Sequence, residues 1–129
     1  MKIAYLCILI ALFLPYVWVM IAKASGQRYD NRDPRGWLSK QTDAKAHRAN
    51  AAQLNAFEAL PGFIAGVLMA QLAQVDPMHI TLASVAFIVF RVLHGVFYIS
   101  NKHQLRSLMW LGGFVCVVFL VVRAITMIM

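Results

Sequence analysis

Residues 3–22 read IAYLCILIALFLPYVWVMIA, an uninterrupted apolar run without a charged side chain. At a rise of about 1.5 Å per residue, a helix of this length crosses the roughly 30 Å hydrocarbon core of a bilayer. Because Lys2 precedes the run and small residues follow at 24–26, a cleaved signal peptide is the alternative. The run is longer than the apolar part of a signal peptide, which favours a membrane-spanning helix.

The composition of the whole chain also indicates a membrane protein. Of its 129 residues, 61% are hydrophobic and 13% are charged, whereas soluble domains carry about 45–50% apolar and about 25% charged residues. Further apolar runs lie within residues 49–75, 78–99 and 108–129. None of them alternates apolar and polar residues as the strands of a membrane barrel do. The sequence therefore predicts one all-α membrane domain, residues 1–129, built as a four-helix bundle.

The basic residues predict how this bundle is oriented. The formal net charge is +7, and most lysines and arginines lie in two connections, residues 23–48 and 100–107. Because basic residues accumulate in cytoplasmic loops, both connections are predicted to face the cytoplasm and both termini the outer side. The compact chain favours a bacterial inner membrane. This orientation explains the charge without a nucleic-acid partner. Near the span ends, Trp18, Trp37 and Trp110 are typical of an interfacial aromatic belt.

Several polar side chains lie inside the predicted spans, where ionisable groups are costly and therefore suggest a function. Asn55 and Glu58 are three residues apart in the second span, so they share one helix face. Arg91, His94 and Tyr98 follow an i, i+3, i+7 pattern in the third span and also share a face. Because the two spans are antiparallel, Glu58 and Arg91 are predicted to meet about 12–15 Å deep. An ion pair between them would form a polar pocket open toward the cytoplasm.

This polar cluster has two interpretations. It is either a structural clamp that holds the bundle in register or a site that binds a ligand. His94, Tyr98 and Arg106, the last in the connection after the third span, supply more polar groups than a clamp requires. The sequence therefore favours a ligand site while leaving the clamp open.

Other classes of site lack their sequence signals. Cys7 and Cys116 lie in apolar runs, where a buried thiol behaves as a small hydrophobic group. No group of histidines, cysteines and carboxylates has the spacing of a metal site, so no metal is predicted. The chain also has no phosphate-binding loop and no Gly-x-Ser-x-Gly motif, which argues against an ATPase or a serine hydrolase.

Two stretches of the chain resemble the MAPEG family, the membrane-associated proteins of eicosanoid and glutathione metabolism. The stretch at 51–61, AAQLNAFEALP, is similar to the family's Asn-x-x-Glu-x-x-Pro. The stretch at 91–98, RVLHGVFY, is followed by Arg106 and Ser107 and is similar to the family's Arg-x-x-His/Tyr-x-x-x-Tyr with its downstream Arg-Ser. Four spans and a long first connection agree, so the resemblance covers essentially the whole chain.

The resemblance implies a homotrimer of four-helix bundles that binds glutathione between neighbouring subunits near the cytoplasmic face. Arg106 would be the catalytic residue beside the thiol, because a guanidinium favours the nucleophilic thiolate. The family's stretch has an arginine at the position of Ala51, and Arg48, one turn earlier, is the candidate to replace it. The other residues that would line the glutathione pocket are Asn55, Glu58, Arg91, His94, Tyr98 and Ser107.

Three functional hypotheses follow. The resemblance implies a glutathione-dependent transferase or peroxidase that acts on lipophilic electrophiles arriving from the bilayer. Because Ala51 cannot hold a carboxylate of glutathione, the alternative is a non-catalytic membrane scaffold or accessory subunit with the same fold. A small multidrug or ion transporter that uses Glu58 is disfavoured, because Arg91 at the same depth would neutralise the carboxylate.

Overall fold

The computed structural model describes all 129 residues and contains five helices. Four of them are long and apolar enough to cross a membrane by their length and composition. This confirms the prediction of an all-α chain with four long apolar helices. In chain order, the helices are α1 (Lys2–Ala24), α2 (Pro34–Ser39), α3 (Ala44–Leu72), α4 (Pro77–Ile99) and α5 (His103–Ile128).

Aspartate side chains fix the first turns of α3 and α4. The carboxylate of Asp43 accepts a hydrogen bond from the backbone N–H of Lys45 at 2.8 Å. The carboxylate of Asp76 accepts one from the N–H of Met78, also at 2.8 Å. Each carboxylate thus satisfies a backbone donor that has no partner within its helix. Pro77 follows the second cap in the first turn of α4, where its missing N–H is not needed.

Helix α5 begins earlier than the apolar pattern indicates. It starts at His103, so the connection predicted at residues 100–107 shrinks to residues 100–102. Arg106 and Ser107 therefore lie on the first helical residues of α5 rather than in a loop. Hydropathy identifies only the apolar part of a helix that lies in lipid. A helix can continue into water where its residues have sufficient helix propensity.

The four long helices form an antiparallel bundle in which α3 contacts all three others, and both α1 and α5 pack on α4. Phe63, Val67, Ile80 and Leu120 are completely buried in its apolar core. The rings of Phe63 and Phe87 stack with centroids 3.9 Å apart. Many large apolar side chains stay exposed on the outer surface of the bundle, as expected where the neighbour is lipid rather than water.

The connection between α1 and α3 covers one end of the bundle. Together with residues 100–102 and the adjoining helix ends it forms what we call the basic end, because nine of the twelve lysines and arginines lie there. Five of them lie in the two connections, and Lys23, Lys45, Arg48 and Arg106 lie in the adjoining helix ends. The indole N–H of Trp37 donates to the carbonyl of Arg28 at 2.9 Å. The side chain of Gln41 accepts from the N–H of Gln27 and donates to the carbonyl of Trp37, both at 2.9 Å. Trp37 is thus buried inside this connection, which corrects its predicted place in an aromatic belt.

Gly95 on α4 allows a close contact with α1. A Cβ atom at this position would overlap the indole ring of Trp18. Trp18 is itself buried between the helices, which corrects its predicted place in an aromatic belt. We therefore expect Gly95→Ala to lower the free energy of unfolding by about 1–3 kcal/mol, the usual cost of overpacking. Gly62→Ala is the matched control, because its methyl group would meet only Val117, at 3.4 Å. Equal thermal unfolding temperatures for the two variants in detergent would contradict this prediction.

Candidate functional site

Two adjoining cavities lie between α3, α4 and α5. The inner cavity has a volume of about 280 Å³, and the outer cavity, closer to the basic end, has a volume of about 210 Å³. The two cavities share Asn55 and Trp110 as lining residues. The inner cavity is lined by Asn55, Glu58, Ala59, Gly62, Phe87, Arg91, Trp110, Gly113, Phe114 and Val117. The outer cavity is lined by Asn55, His94, Tyr98, Arg106, Ser107 and Trp110.

The character of the lining changes with depth. The outer cavity is lined mostly by polar side chains. In the inner cavity the polar groups are Asn55, Glu58 and Arg91, and Phe87 and Phe114 are among the apolar walls. The two cavities together therefore offer a polar surface toward the basic end and an apolar surface deeper in the bundle.

Arg91 is buried and has an amide as its partner. It is 4% exposed, and its Nη2 donates a hydrogen bond to Asn55 Oδ1 at 2.8 Å. Asn55 Nδ2 lies 3.5 Å from Glu58 Oε2, at the outer limit of a hydrogen bond. Asn55 therefore stands between the cation on α4 and the carboxylate on its own helix.

The predicted direct ion pair between Glu58 and Arg91 is wrong. The chain contains one salt bridge, between Arg32 and Asp30. No nitrogen of Arg91 therefore lies within 4.0 Å of a carboxylate oxygen. Residues three apart on an α-helix differ by about 60° in direction. Asn55 therefore faces α4, while Glu58 is turned toward the exposed side of α3.

The Arg32–Asp30 pair lies outside the membrane-spanning helices, in the connection between α1 and α3. Arg32 Nη2 and Asp30 Oδ2 are 2.9 Å apart, and both side chains are exposed. Side-chain and backbone hydrogen bonds from Arg32 hold the pKa of Asp30 below its ordinary value. This pair is the one salt bridge in the chain, and neither Arg91 nor Arg106 takes part in it.

His94 supplies a buried polar atom without a partner. The residue is 2% exposed, and its Nδ1 makes no hydrogen bond. Its ring meets that of Tyr98 edge to face, with centroids 5.6 Å apart. Buried polar atoms nearly always have a hydrogen-bond partner. His94 lines the outer cavity, and its unpaired nitrogen lies beneath the surface of that cavity.

Tyr98 also positions Arg106. The guanidinium carbon of Arg106 lies 4.4 Å from the centroid of the Tyr98 ring, within the range of a cation–π contact. Ser107, the next residue, donates its hydroxyl proton to the carbonyl of His103 at 3.0 Å. Its oxygen keeps lone pairs that can accept a hydrogen bond from a molecule in the outer cavity. The first two turns of α5 thus contribute a fixed cation and an acceptor.

Arg48 lies apart from both cavities. Its Nε donates to the carbonyl of Ile99 at 2.9 Å and so satisfies a backbone acceptor at the end of α4. Neither Arg48 nor Ala51 lines either cavity. The structure therefore brings the other candidate residues together and leaves Arg48 outside. Those around the cavities are Asn55, Glu58, Arg91, His94, Tyr98, Arg106 and Ser107.

Trp110 is a residue of both cavities that the sequence analysis assigned only to an aromatic belt. Its ring stacks on that of Phe114 with a centroid distance of 5.3 Å and an interplanar angle of 10°. Trp110 follows Arg106 by four residues, which places the two on one face of α5. That spacing is a signal from which its place beside Arg106 could have been predicted.

Comparison with protein-family models gives one match, which covers residues 3–126 and is described as the MAPEG family. This range includes every residue that lines the two cavities. No curated protein and no solved structure matches the chain significantly.

Proposed function

The chain belongs to the MAPEG family, and from this premise we propose that it is a glutathione-dependent transferase or peroxidase acting on lipophilic electrophiles. The observation that carries the proposal is the pair of adjoining cavities. A charged, water-soluble tripeptide suits the outer cavity together with the polar residues of the inner cavity, Asn55, Glu58 and Arg91. An oil-soluble molecule that enters from the bilayer suits the apolar part of the inner cavity.

The residues around the cavities fit the groups of glutathione, which carries two carboxylates, one ammonium group and a thiol. Arg91 is a buried cation without a carboxylate partner, so it can bind a carboxylate of the ligand. Glu58 is the one acidic side chain at this depth and can bind the ammonium group. A small rotation of the His94 ring would expose its unpaired Nδ1 for a hydrogen bond with the peptide.

Arg106 has the charge and the fixed position that thiol chemistry requires. Glutathione, when bound, supplies the sulfur nucleophile, and a neighbouring guanidinium lowers the energy of its thiolate form. The contact with the Tyr98 ring restrains the guanidinium beside the outer cavity. Trp110 lies at the boundary between the cavities and can hold the electrophile against the sulfur.

The proposal includes an assembly and an orientation. Glu58 is exposed on α3 at a depth where lipid would be its neighbour, so a second subunit is a suitable cover. A homotrimer with glutathione between subunits, as the family resemblance implies, provides this cover. The basic end faces the cytoplasm of a bacterial inner membrane, with both termini outside, because lysine and arginine favour the cytoplasmic side.

One observation favours the alternative of a non-catalytic scaffold or accessory subunit. Arg48, the candidate to replace the arginine missing at Ala51, donates to the Ile99 carbonyl and lines neither cavity. In a scaffold, the Arg91–Asn55 contact would act only as a link between α3 and α4. Such a protein would keep its fold without responding to glutathione.

Glutathione binding to the detergent-purified protein tests the proposed function. We expect saturable heat in isothermal calorimetry, and stabilisation by about 2.7 kcal/mol at a ligand concentration 100 times Kd. Arg28→Ala, which removes an exposed charge of the connection, is the control for non-specific attraction and should not change the binding. The absence of any response at millimolar glutathione would reject the proposal and leave the scaffold.

A further inference from the structure

A third cavity lies on another side of the bundle, between α1 and α4 at the basic end. We call it the α1/α4 groove, and its volume is about 470 Å³. None of its lining residues belongs to the inner or outer cavity, so the groove is separate from the proposed glutathione site. The groove is lined by Trp18, Ile21, Lys45, Val96, Ile99 and Ser100.

The lining of the groove changes from polar to apolar along the bundle axis. Lys45 and Ser100 lie at helix ends, at the mouth of the groove. At a helical rise of 1.5 Å per residue, Val96 lies about 6 Å deeper than Ser100, and Trp18 lies about 9 Å from the end of α1 at Ala24. The polar mouth therefore lies where lipid headgroups meet the protein, and the apolar walls lie where acyl chains begin.

Trp18 forms the deep wall of this groove. Its indole packs against Gly95, which has no side chain to keep α1 and α4 apart. The ring is 6% exposed, so it is held by the protein rather than free in the lipid. The groove is thus a formed feature of the helix packing.

The charge of Lys45 has no counter-ion within the chain. The one salt bridge joins Arg32 and Asp30, and Asp43 binds the backbone N–H of Lys45. The first turn of α3 contains no acidic residue, so Asp43 at the cap is the one carboxylate at this helix start, and it is engaged with the backbone. The exposed ammonium group of Lys45 is therefore unpaired at the mouth of an apolar groove.

We propose that the α1/α4 groove binds an anionic phospholipid, with the headgroup phosphate at Lys45 and the first part of an acyl chain between Trp18 and Ile99. Charge complementarity selects this occupant over a second copy of the chain. Copies that share one orientation in the membrane place their basic ends at the same level. A neighbouring copy in the groove would therefore add positive charge, whereas an anionic lipid neutralises it.

Native mass spectrometry of the full chain in detergent tests this proposal. The protein is mixed with equal amounts of phosphatidylglycerol and phosphatidylcholine that carry identical acyl chains. We expect phosphatidylglycerol adducts to dominate, and Lys45→Gln to weaken phosphatidylglycerol binding about fivefold, the equivalent of about 1 kcal/mol per basic residue near an anionic headgroup. Lys40→Gln removes the same charge from an exposed residue outside the groove and should leave the binding unchanged.

A second variant tests the apolar part of the groove without a change in charge. Val96→Trp fills the space between α1 and α4 and should also reduce phosphatidylglycerol adducts. Equal binding of the two lipids, or equal effects of Lys45→Gln and Lys40→Gln, would overturn the proposal. A change in oligomeric mass in Val96→Trp with the lipid adducts intact would instead identify the groove as a contact between copies. Neither lysine lies in the glutathione site, so this test is independent of the proposed function.

Discussion

Replacement of Arg106 with alanine is expected to lower kcat for the transfer of glutathione to a lipophilic electrophile about 100-fold or more. Removal of one preorganised group that stabilises a developing negative charge typically costs a factor of 10²–10³. Arg106 lines the outer cavity and is restrained over the Tyr98 ring, so its charge is already in position before the reaction. Steady-state kinetics of the purified protein in detergent micelles measures this effect.

Two variants show whether the loss comes from the placement of the charge. Lys102→Ala removes a positive charge one turn earlier, from an exposed residue outside both cavities, and should keep nearly full activity. Arg106→Lys keeps the charge but loses the planar group that stacks on Tyr98, so we expect an intermediate kcat. An Arg106→Ala protein with a kcat within threefold of the unsubstituted chain would contradict the assigned role.

Replacement of Arg91 with methionine is expected to weaken glutathione binding about 100-fold or more while the bundle stays folded. Loss of one partner from a buried, hydrogen-bonded charge pair costs about 2–5 kcal/mol of binding free energy. The fold should tolerate the change, because Arg91 has no carboxylate partner and a buried charge can often be replaced by an apolar side chain without loss of stability. Calorimetry with glutathione and thermal unfolding give the two readouts.

Asn55→Leu is the informative comparison for Arg91→Met. It removes the amide that accepts from Arg91 Nη2 and leaves the guanidinium buried. We expect it to destabilise the protein by about 1–3 kcal/mol, the cost of an unsatisfied buried polar group. If Arg91→Met instead lowers the unfolding temperature and leaves the response to glutathione unchanged, the polar cluster is a structural clamp.

The long helices could be predicted from the sequence because the bilayer imposes a length and a composition on each span. Asp43 and Asp76 mark the starts of α3 and α4, since each has a side chain that can cap a first turn. Hydropathy alone begins the second span at residue 49, five residues after the start of α3. The structure of the connection between α1 and α3 could not be predicted. It depends on hydrogen bonds such as the one from the Trp37 indole N–H to the Arg28 carbonyl, and no sequence periodicity indicates such bonds.

The candidate site shows a similar division. Spacing predicted that Asn55 and Glu58 share one side of α3 and that Arg91 and His94 share one side of α4. It could not predict which residue of each set points at the other helix, because that depends on how the packed helices rotate about their axes. The structure resolves this by placing Asn55 against Arg91. The hydrogen bond from Arg48 to the Ile99 carbonyl could not be predicted for the same reason, since it also depends on how α3 is rotated against α4.

Asn55 and Trp110 form part of the wall of both cavities. A molecule in one cavity that shifts either side chain changes the shape offered to a molecule in the other. Any two such ligands are therefore linked thermodynamically, and the factor by which the first changes the affinity of the second equals the reverse factor. For a protein in a bilayer, the amount of lipophilic compound dissolved in the membrane then helps to set the apparent affinity for a ligand in water. The protein would thus bind its water-soluble ligand more or less tightly according to the concentration of lipophilic compounds in the surrounding bilayer.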